Sequence, residues 1–331
     1  MGMACKKKKR QNAEKGFVMM KKAGTLLLIG LLAIAFAAGC VRTPAKPAEE
    51  DGKMLVYTSF YPMYDFAQKI GGYQVRVVNM VPTGTEPHDW EPTAPDIAGL
   101  EKAKVFIYNG AGLEHWTKDI LSSLQNKDLL AVEAAAGITL QEGHSHEESG
   151  HSNEDPASAS DPHVWLNPLY AKKQMEAITA AFVKADPTNS AYYEENFAKY
   201  SNQLDALDNE FREALAHLPK KEIIVSHAAF GYLCDAYGLT QVGIEGLAPD
   251  SEPDPARMAE IIEFAKAHNV KVIFFEELVS PKVAETIARA IGAQTAVLSP
   301  LEGLSDEQQA NGDDYFAVMR QNLAAIKTAL Q

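Results

Sequence analysis

Residues 54–81 read MLVYTSFYPMYDFAQKIGGYQVRVVNMV, and their order decides the fold class. Residues 54–59 are apolar and β-branched, as a strand requires. Residues 63–70 then read as a helix. Pro62 stands where a helix can start, because a first-turn nitrogen has no helical hydrogen bond to lose. Residues 75–81 form a second apolar run, the pattern of a strand buried on both faces. Strand, helix and strand in this order make a βαβ unit with parallel strands.

The same rhythm continues outward. Thr93 and Asp96 are spaced as a capping box around Pro95, so a helix is expected from there to residue 102. A strand at 105–109 and a helix at 116–124 follow. Beyond residue 220, strands are predicted at 223–226, 272–275 and 295–298, with helices at 228–237, 255–268, 281–291 and 313–330. Between the halves, helices are read at 168–184 and 190–218. The second carries Phe197, Leu204, Leu207, Phe211 and Leu215 at helical spacing. The expected fold is α/β: two Rossmann-like lobes with parallel sheets, joined by a long rigid helix. The lobes are assigned to residues 54–185 and 220–331, with 186–219 as the connection.

The chain has 331 residues, about twice an ordinary domain, which suits two lobes. Residues 1–40 hold eight of its 31 Lys and Arg but only one of its 44 acids, so the remainder carries a net charge of −20. Such a body excludes nucleic acid as the main partner. The leader has Lys21 and Lys22, an apolar run from 23 to 38, and Ala37-Ala38-Gly39-Cys40 at its end. That is a secretory signal, and a cysteine directly after Ala-Ala-Gly marks Cys40 for lipidation, as in bacterial lipoproteins. Met19 or Met20 competes with Met1 as the true start. Residues 41–53 read as a flexible tether. Cys5 and Cys40 lie in the leader, so Cys234 is the lone body cysteine, expected in the core.

Chemistry concentrates at histidine. His144, His146 and His151 lie among acids, Ser and Gly in residues 141–161, an acidic surface loop suited to weak capture of borderline metals. His88, His163 and His227 stand apart from it: His88 and His227 each follow a predicted strand, His163 lies between the acidic loop and a helix that Asn167 and Pro168 can start, and all three suit the place where α/β sheets bind ligands. One such histidine is more often structural than functional. Three, spread over both halves, point to one site in the cleft between the lobes. Three imidazoles leave a fourth position for a carboxylate or water. Glu302 and the pair Glu276 and Glu277 each follow a predicted strand, and spacing alone does not choose between them. Asp89 and Glu91 are candidate acceptors for the other ring nitrogen of His88. His115, His217 and His268 read as structural or surface residues.

Five segments carry a family resemblance. They are the lipobox at Cys40, Pro87-His88-Asp89-Trp90-Glu91-Pro92, Asp161-Pro162-His163-Val164-Trp165-Leu166-Asn167-Pro168, Ser226-His227-Ala228-Ala229-Phe230 and Leu298-Ser299-Pro300-Leu301-Glu302-Gly303. Over residues 54–331 the chain resembles the cluster A-I solute-binding lipoproteins of ABC transporters that import zinc and manganese. The resemblance implies one metal in the interlobe cleft and places the fourth ligand at Glu302, leaving Glu276 and Glu277 as lobe or hinge residues. Manganese-type members carry Glu where His227 stands, so three His and one Glu imply Zn2+ over Mn2+. It further implies a monomer, held to the cell membrane by lipid on Cys40, that serves an ABC permease and its ATPase subunit. The lipobox favours a Gram-positive surface. A zinc hydrolase using Asp89 or Glu91 as base is the competing class, and a surface adhesin the third; the expectation is that the chain is not an enzyme.

Overall fold

The computed structural model describes residues 52–143, 160–249 and 253–331. Cys40 with its leader, most of the tether, and His144, His146 and His151 lie outside these residues. The first half runs β1 (Met54–Thr58), α1 (Tyr61–Gly71), β2 (Val75–Asn79), α2 (Ala94–Leu100), β3 (Val105–Tyr108), α3 (Thr117–Ser123) and β4 (Leu130–Glu133). Its four strands are parallel, in the order β2-β1-β3-β4. Helices α4 (Pro168–Ala185) and α5 (Ser190–Leu215) follow. The second half runs β5 (Glu222–Val225), α6 (Gly231–Tyr237), β6 (Thr240–Gly243), α7 (Pro255–Ala267), β7 (Val272–Phe275), α8 (Lys282–Ile291), β8 (Gln294–Val297), α9 (Asp306–Asn311) and α10 (Tyr315–Leu330). Its parallel order, β6-β5-β7-β8, repeats that of the first. The chain therefore forms two parallel-sheet α/β lobes.

Strand alternation explains how the lobes share one core. Ile223 and Val225 face a continuous cluster that also takes Val56, Val105 and Ile107 of the first sheet and Leu204, Leu207 and Phe211 of α5. Ile224, on the opposite face, joins Ile261, Ile273 and Ile287 in a core private to the second lobe. Cys234 is buried in the shared core, and burial pushes its thiol pKa up.

Three expectations need correction. Residues 75–81 were read as a strand buried on both faces, but β2 is a sheet edge, and Arg76 on it is exposed. Strands β4 and β6, absent from the sequence reading, are edges too. Leu-Ala-Val-Glu and Thr-Gln-Val-Gly are short, half-solvated segments without a β-branched apolar run. The helix predicted to residue 102 ends at Leu100, although its start is as expected. The Asp96 carboxylate accepts from the Thr93 N–H at 2.8 Å and from its hydroxyl at 2.6 Å.

Candidate metal centre

Four chain segments leave the C-terminal ends of four strands and meet in one place. His88 follows β2, His163 follows β4, His227 stands two residues past β5, and Glu302 follows β8. Their ligating atoms all lie within 4.8 Å of one another. Glu302 Oε1 is 3.0 Å from His88 Nε2, 3.0 Å from His163 Nε2 and 3.4 Å from His227 Nε2. His163 Nε2 is 3.3 Å from His88 Nε2 and 3.2 Å from His227 Nε2. A tetrahedron with metal–ligand bonds of about 2.0–2.1 Å has edges of about 3.3–3.4 Å. Five of the six edges, at 3.0–3.4 Å, stand close to that spacing. His163 and His227 are wholly buried and Glu302 nearly so, while His88 keeps about a tenth of its side chain in contact with solvent.

Buried carboxylates orient the two deep rings. His163 Nδ1–H donates to Asp161 Oδ1 at 2.7 Å, and its backbone N–H to the same oxygen at 2.9 Å. His227 Nδ1–H donates to Glu276 Oε1, also at 2.7 Å. A carboxylate can only accept, so each bond fixes the proton on Nδ1 and turns the Nε2 lone pair toward the other ligands. His88 is held through its backbone, whose N–H donates to Glu86 Oε2 at 3.0 Å. Pro162, between Asp161 and His163, has its carbonyl fixed by Asn109 Nδ2, and Gln174 Nε2 donates in turn to Asn109 Oδ1. The Asp161 carbonyl accepts from the Tyr232 hydroxyl.

Residues 56–329 match the family described as ZnuA, zinc-uptake complex component A, periplasmic. The chain belongs to that family. The high-affinity zinc uptake system protein ZnuA of Bacillus subtilis (strain 168) is 44% identical over 315 residues, which are 94% of this chain and 99% of that protein. The zinc-binding lipoprotein AdcA of Streptococcus pneumoniae serotype 4 is 38% identical over 315 residues, 93% of this chain but only 61% of AdcA. The solved Zn(II)-bound ZnuA-like domain of Streptococcus pneumoniae AdcA superposes with a TM-score of 0.73 at 36% identity, covering 84% of this chain and 99% of that domain.

Within this family fold, the cluster sets its own proton affinities. Burial pulls His163 down, but Asp161 and Glu302 outweigh it and leave its pKa above the ordinary imidazole value. His227 is likewise pulled down by burial and raised well above that value by Glu276 and Glu302. Burial drives Glu302 up, yet the imidazoles of His227, His163 and His88 hold it well below the usual carboxylate range. These groups share protons strongly, so a divalent cation entering among them has protons to displace.

Two sequence expectations change here. Glu91 was a candidate support for His88, but it lies 3.5 Å from the exposed ring of His115. Glu276, set aside as a lobe or hinge residue, backs His227 directly. Asp161 was not singled out, though its place two residues before His163 across a proline was a usable signal. Glu277 does serve its own lobe, accepting from Gln308 Nε2 at 2.7 Å. Cys40, His144, His146 and His151 fall outside the described residues.

Proposed function

We propose that this chain captures Zn2+ outside the cytoplasm and delivers it to the permease of an ABC importer, powered by an ATPase subunit. His88, His163, His227 and Glu302 are the proposed ligands. The observation that carries this reading is the convergence of three Nε2 atoms and one carboxylate oxygen within 4.8 Å of one another, five of their six separations close to tetrahedral. Three imidazoles and one carboxylate suit zinc, whereas manganese and magnesium favour six oxygen-rich ligands. Glu302 enters as an anion, and Asp161 and Glu276 add two more carboxylates behind the rings, so the dication's charge is compensated in a buried site.

Catalysis is less well supported. A zinc hydrolase keeps a coordination position for water and a free general base beside it. Here Glu302 occupies the fourth corner, and Asp161 and Glu276 are committed to ring nitrogens. The organisation proposed is a lobe at 54–185, a connection at 186–219 and a lobe at 220–331. Residues 1–40 as a lipoprotein signal, lipid on Cys40, a tether at 41–53 and a Gram-positive surface location rest on the sequence, with a lipoprotein among the relatives in support. No helix among the described residues is long and apolar enough to cross a membrane. His144, His146 and His151 are a proposed weak collecting site.

The test is a competitive zinc titration in excess manganese, on protein lacking residues 1–40 and 144–159. One tight zinc equivalent is expected, abolished by His227→Ala or Glu302→Ala. Preference for manganese, or no tight site, would overturn the proposal.

A further inference from the structure

Glu302 is reached through constrained backbone. Leu301, just before it, has φ of 58°, in the left-handed region, although it is a leucine and wholly buried. A non-glycine residue with so large a side chain holds such a conformation only where its surroundings impose it. Part of the imposition is local to the second lobe. Leu301 N–H donates to Ser299 Oγ at 3.2 Å. Ser299 is itself clamped by Asn322 of α10, which accepts from its N–H at 2.9 Å and donates to its carbonyl at 2.7 Å.

One bond comes from elsewhere. The Pro300 carbonyl accepts from Trp165 Nε1–H at 2.8 Å. Trp165 lies two residues after His163, in the segment leading to α4, and is fully buried. Its ring meets Phe60 edge-on at 4.9 Å and stands 5.2 Å from the His163 ring, while its carbonyl accepts from the Tyr315 hydroxyl at 2.7 Å. A side chain held at so many points is a rigid spacer. Its indole N–H ties the arm that bears His163 to the turn that bears Glu302.

We infer that Trp165 is a positioning residue, whose hydrogen bond to the Pro300 carbonyl holds the Leu301 turn left-handed and so sets Glu302 against the three imidazoles. This rests on the proposal above that Glu302 closes the zinc shell. It has a consequence for release. Drawing the two loops apart breaks the indole bond, frees Leu301 to leave its left-handed conformation, and withdraws the anionic ligand. Opening and loss of the carboxylate then become one event, leaving three neutral imidazoles with a weaker hold on the metal.

The test is a double-mutant cycle on zinc affinity with Trp165→Phe, Glu302→Ala and the two combined. Phenylalanine keeps a buried ring and removes the N–H. Trp165→Phe is expected to weaken zinc by roughly ten-fold or more, the usual effect of losing a support behind a ligand. Added to Glu302→Ala it should cost nothing further, because both act through one carboxylate. The visible spectrum of bound Co2+ in Trp165→Phe should shift toward that of Glu302→Ala. Full additivity, or unchanged affinity in Trp165→Phe, would overturn the inference. Unchanged affinity in Glu302→Ala would instead remove the ligand assignment, and the role of Trp165 with it. Circular dichroism melting checks the fold. If Trp165→Phe does not fold, Ser299→Ala loosens the same turn and must show the same non-additivity with Glu302→Ala; an additive loss there counts against the turn and sinks the inference.

Discussion

At the scale of single residues, the decisive feature is which ring nitrogen carries the proton. Asp161 and Glu276 fix it on Nδ1 of His163 and His227, both at 2.7 Å. Asp161→Asn or Glu276→Gln keeps most of the volume but lets the amide nitrogen face the ring, which removes the charge and permits the wrong tautomer. Each change should weaken zinc by about 10–100-fold. Titration against a chelator of known affinity measures it, and an unchanged affinity would show that the carboxylate does not orient its ring. The four residues of the cluster stand out in the sequence as residue types in short motifs, with a proline directly before His88 and His163 but none beside His227. Their supports stand out less. Asp161 is written beside His163, whereas Glu276 reaches His227 only because β7 lies next to β5 in the folded sheet. The raised proton affinities of His163 and His227 add a second expectation at this scale. Zinc binding near pH 7.5 should release protons, above the range in which an ordinary imidazole of pKa ~6.5 still holds one. Calorimetry in buffers of different ionisation enthalpy reads that number directly, and a value of zero would contradict the shifts.

Among the elements, α5 shows what a long periodic segment can disclose. Its 26 residues span about 39 Å at the usual rise; of the apolar stripe read from the sequence, Leu204, Leu207, Phe211 and Leu215 are buried and Phe197 is partly so. Edge strands are a mixed case. Short segments with few apolar positions reveal no period, so β4 and β6 leave little trace in the sequence, whereas the edge strand β8 is legible and the apolar run of β2 reads as more buried than it is. The stripe on α5 supports the shared core rather than the metal cluster, and this separates two kinds of damage. Phe211 is fully buried and stacks on Tyr237 with ring centroids 5.0 Å apart. Phe211→Ala should cost about 3–5 kcal/mol in a urea unfolding experiment. The protein that remains folded should bind zinc as tightly as before. A large loss of affinity in that folded fraction would mean that α5 positions the ligands as well as the lobes.

For the molecule as a whole, one core joins two halves, and the metal cluster joins them again at the strand ends. Lys69 of α1 adds an ion pair across the halves, 2.9 Å from Asp314 at the start of α10. Metal and fold are therefore linked, and the pKa directions give that linkage a sign. Glu302 is depressed, so its contribution to the zinc-free fold is present above the unfolded value of about 4.3 and is lost as pH falls through its folded value. His163 and His227 are raised, so theirs is complete below about 6.5 and is lost as pH rises through their folded values. Zinc reverses the second trend, because it needs those imidazoles unprotonated and binds more tightly once they are. A ligand at 1,000 times its dissociation constant stabilises by about 4.1 kcal/mol, and each ten-fold gain in affinity adds about 1.4. Melting temperatures of chelator-treated protein, with and without a fixed excess of zinc, should thus diverge progressively from pH 6 to pH 8. The zinc-free curve falls toward alkaline pH while the zinc-bound curve holds. A gap that stays constant, or narrows, would mean that protons and zinc do not compete for the same imidazoles, and the cluster at the strand ends would lose its claim to be where the metal binds.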